Sequence, residues 1–283
     1  MLRRTLLRVY RIPATPTTPT PTAFGLGAED VHLDAVDGTR LRAWFLPGAG
    51  SAQATADGAR RPAVVVLHGW GSSSADLLPA APGLVAAGLP TLLLDARGHG
   101  RSGPATFMSM PRFAEDLEAA VAWLRRAPGI DPDRIAVLGH SVGAGASLLA
   151  ASRDPRLAAV IAISGMAHPA ELIRASRGLR QAPEPLATRV LTTIEDTIGH
   201  RFDTFAPLHT IRTLEMPVLI VHGTADRTVP VRDAARLVDA GGPNVRLRLV
   251  PGAGHRSVRP FLPLVGELAG FLTTSLTERA RLP

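Results

Sequence analysis

Residues 135–152 read IAVLGHSVGAGASLLAAS: a short apolar run, the pentapeptide Gly139-His140-Ser141-Val142-Gly143, and then small and apolar residues suited to a helix. A strand, a sharp turn carrying a serine and a helix follow one another without a spacer, which is where a nucleophile elbow must stand. The serine of such a turn adopts a strained backbone geometry. Glycines two residues before and after it remove the Cβ atoms that would collide as strand and helix cross. Gly145 and Ala146 extend that small face. As a bare pattern G-x-S-x-G also arises by chance in a chain this rich in glycine and alanine, so the flanking elements carry the inference.

Working outward, short apolar runs recur at 63–67, 91–94, 135–138, 158–163, 218–221 and 245–250. Strands buried on both faces of a sheet read this way. Helical stretches are expected between them at 75–87, 111–126, 142–153, 231–240 and 257–275. Alternation of strand and helix implies a parallel sheet in an α/β domain. Ahead of it, VHLDAV and LRAWFLP flank Asp37-Gly38 and predict an antiparallel hairpin. Between Gly165 and Met216 the interval is too long for one crossover. It holds two helical patterns, 169–180 and 184–199, then the irregular RFDTFAPLHTI, and predicts an insertion at about 166–212 over one end of the sheet. Residues 48–61 read as a surface loop. Residues 1–28, basic and then Pro/Thr-rich, read as a tail before a folded domain at 29–283.

Composition narrows the chemistry. The 283 residues include 46% hydrophobic and 19% charged side chains, enough apolar material to offset the entropy of ordering a core. There is no cysteine, which removes disulfides, thiolate nucleophiles and cysteine-ligated metals. All 31 basic residues are arginine, which removes a Schiff-base lysine and a P-loop lysine. The net charge of +7 does not mark a nucleic-acid surface: Arg3, Arg4, Arg8 and Arg11 carry four of those charges, and acids balance most of the others along the chain. No apolar run reaches the roughly 18–20 residues of a membrane span. A cytoplasmic protein is expected, with at most weak membrane-surface contact through a short basic amphipathic helix within residues 1–11. The oligomeric state is left open.

An acid and a histidine follow Ser141 in chain order at strand ends. VLIVHGTADRTVP places Asp226 just beyond one strand, and RLRLVPGAGH presents His255 on a loop of small residues beyond the next. A serine hydroxyl is a poor nucleophile at neutral pH, so a base must take its proton as it attacks. His255 is the candidate base and Asp226 the candidate acid that fixes its tautomer. The oxyanion formed by attack needs preorganised donors. His68-Gly69-Trp70-Gly71 follows a strand, so the backbone N–H groups of Trp70 and Val142 are the candidates.

The motifs HGWG, DARGHGRSG, GHSVG, HGTADRTVP and GAGH together resemble the α/β-hydrolase superfamily, in its serine-aminopeptidase-like and lysophospholipase-like branch, over about residues 29–275. The resemblance implies an eight-stranded, mostly parallel sheet with an antiparallel second strand and a helical cap after the sixth. It assigns nucleophile, acid and base to Ser141, Asp226 and His255 and the oxyanion amides to Trp70 and Val142.

The expected activity is that of a serine hydrolase forming an acyl-enzyme on a small-molecule acyl substrate, with carboxylesters ahead of amides and thioesters. Leu172, Ile173, Leu179, Leu186, Val190, Leu191, Ile194 and Ile198 offer apolar cover in the insertion, while Glu171, Glu184, Glu195 and Asp196 keep an aminopeptidase in view. A non-catalytic binder of an apolar ligand is the alternative of another class. No cofactor and no metal are expected, since no histidine pair has ligand spacing. Gly98, Gly100 and Gly103 match G-x-G-x-x-G but open no helix, so a turn-rich loop is expected instead of a dinucleotide site. His68, His99, His140 and His222 are expected in structural hydrogen bonds or packing.

Overall fold

A computed structural model describes residue 15 and residues 18–49 and 58–280. The basic segment 1–11 and most of the loop at 48–61 lie outside the described residues.

Eight strands form one sheet: β1 (Glu29–Asp34), β2 (Arg40–Leu46), β3 (Arg61–Leu67), β4 (Thr91–Asp95), β5 (Ile130–His140), β6 (Ala159–Ile163), β7 (Val218–Gly223) and β8 (Val245–Val250). Their spatial order is β1-β2-β4-β3-β5-β6-β7-β8. β2 runs antiparallel to both its neighbours, and every other pairing is parallel. The hairpin turn at Asp37-Gly38 is present, with Ala35 and Thr39 closing it by a backbone hydrogen bond of 2.9 Å.

Period-two alternation assigns each strand residue to one of two cores. Val65, Leu67, Leu92, Leu94 and Val137 join one apolar cluster, whereas Val64, Val66, Leu93, Ala136 and Leu138 join the other. The helices divide accordingly. The first face is covered by α3 (Met110–Arg126), α4 (Val142–Arg153) and α8 (Val231–Ala240). The second is covered by α1 (Ser74–Leu77), α2 (Ala81–Ala86) and α9 (Val265–Arg279). Between β6 and β7 lie α5 (Pro169–Ala175), α6 (Glu184–Ile198) and α7 (Pro207–Thr210), within the span expected for the insertion.

Two expected helices are interrupted. The 75–87 pattern breaks into α1, a 3₁₀ turn at Leu78–Ala80 and α2; the 257–275 pattern becomes a 3₁₀ segment, Arg259–Leu264, before α9. Pro79, Pro82, Pro260 and Pro263 account for this, because proline removes a helical N–H and crowds the preceding turn. The 1–28 segment is not wholly apart from the domain: residues 21–24 form a 3₁₀ turn with Pro21 buried, and Phe24 packs against the second core. A proline ring and a phenyl ring supply apolar area that the Pro/Thr composition conceals.

The loop after β4 is anchored by a fully buried arginine. Arg97 pairs with Asp116 on α3 (2.7 Å), Glu115 (3.1 Å) and Asp37 of the hairpin (2.7 Å). A buried guanidinium needs this degree of pairing, and the result ties three segments together. Among the described residues no helix is long and apolar enough to cross a membrane.

Candidate active site

Between β5 and α4, Ser141 has φ 57° and ψ −117°, a backbone conformation costly for a residue with a Cβ. Its N–H donates to the carbonyl of Ile163 at 2.9 Å, which pins the turn to β6. The flanking glycines are required by contact. A Cβ on Gly139 would stand 2.1 Å from the Gly143 carbonyl oxygen, and one on Gly143 would stand 2.5 Å from the His68 carbonyl oxygen. Neither obstacle is the end of a flexible side chain.

Asp226 and His255 come to this turn from the ends of β7 and β8. Ser141 Oγ lies 2.9 Å from His255 Nε2, and His255 Nδ1 lies 2.7 Å from Asp226 Oδ2. An ionised carboxylate only accepts, so Nδ1 carries the proton and Nε2 turns its lone pair to the serine hydroxyl. The other carboxylate oxygen, Oδ1, accepts from the N–H groups of Thr228 (2.9 Å) and Val229 (2.8 Å). Burial pushes the Asp226 carboxyl upward, but the hydrogen bonds from His255, Val229 and Thr228 outweigh it and hold the group below the usual carboxylate range.

The two loops are locked to each other. The Ala225 N–H donates to the Ala253 carbonyl (3.0 Å) and the Gly252 N–H to Thr224 Oγ1 (2.9 Å). A Cβ on Gly223 would lie 2.2 Å from the same Ala253 oxygen. Gly223 and Ala253 thus hold the acid and the base in register, a role that no spacing in the sequence announces.

The loop bearing Trp70 is latched by two neutral histidines. His68 Nε2 accepts from the Ala96 N–H (3.1 Å), so Nδ1 carries the proton and donates to the Gly69 carbonyl (2.7 Å). His99 Nε2 accepts from the Gly71 N–H (3.1 Å), and its Nδ1 donates to the Arg97 carbonyl (3.0 Å). Burial disfavours the imidazolium in both and lowers the His99 pKa to about 4. His140 is held down to about 4 by burial and by the neighbouring His255, whose carbonyl it contacts through Nε2 at 3.0 Å. His222 is fully buried with Nε2 3.0 Å from the Val229 carbonyl. The Trp70 indole stacks on Phe113 at 6.3 Å. Val142 is the first residue of α4, where the N–H has no intrahelical acceptor and the helix dipole favours negative charge.

Two cavities meet at Ser141, Trp70, His255 and Arg256. One, of about 400 Å³, is walled by Met108, Met110, Met166, Ile194, Phe202 and Phe205, together with Leu172, Ile173 and Ile198. The other, of about 780 Å³, runs past Ser72, Asp76, Ser257 and Arg259 to Pro19 and Phe24. Of the apolar residues expected to cover the site, Leu172, Ile173, Ile194 and Ile198 line the first cavity; Leu179, Val190 and Leu191 do not, and Leu186 is half exposed. Met108, Met166, Phe202 and Phe205 escape a reading of the sequence because they sit in loops or a 3₁₀ turn without periodicity, and Met110 because α3 begins one residue before the helix expected at 111–126.

No carboxylate of the insertion lines this cavity. Glu171 forms a two-pronged pair with Arg236 (2.6 and 2.8 Å), Glu184 pairs with Arg174 (3.0 Å), Glu195 pairs with Arg201 (3.0 Å), and Asp196 is exposed. The G-x-G-x-x-G match is a packing feature: a Cβ on Gly100, at φ 49°, would lie 2.4 Å from the Asp95 carboxyl. Among the described residues no cluster of three His, Cys, Asp or Glu side chains could hold a metal ion.

Comparison with known proteins agrees with this architecture. A family model described as serine aminopeptidase, S33, matches residues 58–205, which include the Trp70 loop and Ser141 but end before Asp226 and His255. An uncharacterised protein of Mycobacterium tuberculosis (strain ATCC 25618 / H37Rv) is 32% identical over 252 residues, 88% of this chain and 79% of its own. A polyketide transferase of Stachybotrys chlorohalonatus is 38% identical over 137 residues, 47% of this chain and 43% of its own. Among solved structures, an esterase of Pyrococcus furiosus superposes with a TM-score of 0.72 at 22% identity, covering 94% of this chain and 97% of that one.

Proposed function

Since this chain belongs to the serine aminopeptidase S33 family of α/β hydrolases, we propose that it is a serine hydrolase that cleaves acyl esters through a covalent intermediate on Ser141. The observation that carries this reading is the continuous line of hydrogen bonds from Ser141 to His255 to Asp226, opening on an apolar cavity. His255 takes the hydroxyl proton as Ser141 Oγ attacks the carbonyl carbon. The imidazolium is stabilised by Asp226 and gives its proton to the leaving group. Water, deprotonated by the same His255, then releases the acid.

The developing oxyanion falls to the N–H groups of Trp70 and Val142. His68 and His99 matter here because preorganised donors avoid reorganisation when charge appears, and a donor lost from such a pair costs about 10²–10³ in turnover. The 166–212 insertion acts as a cap over the acyl chain. Esters are preferred to peptides with a free amino terminus because the acyl cavity holds no carboxylate to receive an ammonium group. Thioesters remain a close second, as the same groups cleave both.

Peptide-level detection of fluorophosphonate labelling tests the reading. A single adduct at Ser141, absent from Ser141→Ala, is the expected result. A folded protein that takes up no label would overturn the reading in favour of an apolar-ligand binder.

A further inference from the structure

The two cavities that share Ser141 differ in wall chemistry. Thioether, branched aliphatic and phenyl groups close the smaller one. The larger carries Ser72, Ser257, Asp76 and Arg259, and Arg256 stands at its junction with the smaller one. Its charges do not cancel locally. Asp76 is engaged in capping α1, where Oδ2 accepts from Ser72 Oγ (2.6 Å) and from the Ser73 N–H (3.1 Å). Arg256 and Arg259 are exposed and form no ion pair among the described residues. Two guanidinium groups therefore face one carboxylate that already serves a helix cap. His255, beside Arg256, adds positive charge whenever it holds the serine proton.

A cleft with this imbalance and apolar edges at Pro19 and Phe24 concentrates field and draws anions. Guanidinium groups present forked donors that match phosphate oxygens. Occupation of the smaller cavity by an acyl chain leaves the larger one to receive the group that departs from Ser141. We infer that the larger cleft is a subsite for an anionic leaving group, so that the enzyme favours acyl esters or thioesters whose alcohol or thiol bears a phosphate contacted by Arg256 and Arg259. This rests on Ser141 being the nucleophile. The bond from Ser141 Oγ to the acyl carbon forms, the C–O or C–S bond breaks, and the His255 proton moves to the departing oxygen or sulfur. The product leaves as an alcohol or thiol still carrying its phosphate, and hydrolysis of the acyl-enzyme yields the carboxylic acid.

Two matched pairs of substrates test it, each with one hexanoyl group: hexanoyl-coenzyme A against the hexanoyl thioester of N-acetylcysteamine, and hexanoyl glycerol 3-phosphate against monohexanoyl glycerol. In at least one pair the anionic member should show kcat/KM about tenfold or more above its neutral partner, and that ratio should shrink as salt rises. Preference in the first pair alone assigns the subsite to phosphate-bearing thiols, in the second alone to phosphate-bearing alcohols, and in both to phosphate itself. Arg259→Gln should erode the ratio and Arg259→Glu should reverse it, a change of sign that simple misfolding does not produce. Equal kcat/KM within both pairs, with Ser141 still labelled and the neutral members cleaved, overturns the subsite and leaves the serine-hydrolase reading standing. Absence of both labelling and cleavage removes the premise itself.

Discussion

The turn at Ser141 and the 166–212 insertion border the same cavity and are held by opposite means. Around the turn, backbone meets backbone: Gly139, Gly143 and Gly223 each sit where one added carbon would penetrate a carbonyl or a neighbouring turn. In the insertion, α6 buries only Ala187 and Ile194 of its 15 residues, and α5 buries only Pro169. Glu171, Glu184 and Glu195 are tied to arginines that are themselves partly or largely exposed, and such pairs contribute about 0–1 kcal/mol. Chemistry at an acyl carbon demands sub-ångström placement, whereas enclosing an apolar chain needs only shape and dryness. The molecule puts its rigidity at the first and its adaptability at the second.

Variants of the rigid side should do the greatest damage. Asp226→Asn leaves the fold intact, because the amide oxygen still accepts from Thr228 and Val229, but it favours the wrong His255 tautomer. Turnover should fall about 10⁴-fold, and a near-normal kcat in a steady-state assay would show that another residue serves as the acid. Gly143→Ala forces a methyl group against the Leu67 and His68 carbonyls. A loss of about 3 kcal/mol in urea unfolding is expected, against a neutral or slightly stabilising Gly270→Ala on α9, where a Cβ meets nothing within 4 Å. Equal behaviour of the two would refute the claim that contact fixes the turn.

The buried histidines give the rigid side a pH signature. Burial lowers the His99 pKa from the ordinary imidazole value of 6.5 to about 4 in the folded protein. The unfolded chain therefore takes up this proton first, and stability present above about pH 6.5 is lost as pH falls toward 4. For His99 the loss between pH 7 and pH 5 amounts to about 2 kcal/mol. His140, also lowered to about 4, steepens the slope in the same window. His99→Gln retains an acceptor for the Gly71 N–H and a donor for the Arg97 carbonyl without titrating. Its stability, measured by denaturant at pH 7 and pH 5, should change less than that of the parent; parallel slopes would mean that His99 is protonated in the fold.

This contrast also governs what can be read from the sequence. The strands, the hairpin at Asp37-Gly38 and the positions of Ser141, Asp226 and His255 are legible because short continuous apolar runs, alternation about one turn, glycine placement and strand-end loops leave local marks. The expectation of one helix at 75–87 fails where Pro79 and Pro82 outweigh a continuous apolar pattern. The pairing of Gly223 with Ala253 and the buried links from Arg97 to Asp37 and Asp116 are invisible in the sequence, since each joins segments far apart in the chain. In the insertion, periodicity nominates eight apolar residues and the cavity uses four of them. Met108, Phe202 and Phe205 complete it from short irregular or 3₁₀ segments and Met110 from the first turn of α3, positions that a periodic search passes over.

The adaptable side should respond to change in kind more than in rate. Leu172 on α5 is only partly buried and lines the acyl cavity, so Leu172→Ala adds space without breaching either core. One methylene in an apolar pocket is worth about 1–3 kcal/mol when fully enclosed, and a partly open wall realises the lower end of that range. The expected outcome is a several-fold rise in KM for the best acyl chain and a shift of the optimum by one or two carbons toward longer esters, while the fluorophosphonate labelling rate of Ser141 changes little. A fall in labelling rate as large as the rise in KM would show that the insertion helps position the nucleophile, and the division of labour between the two regions would fail.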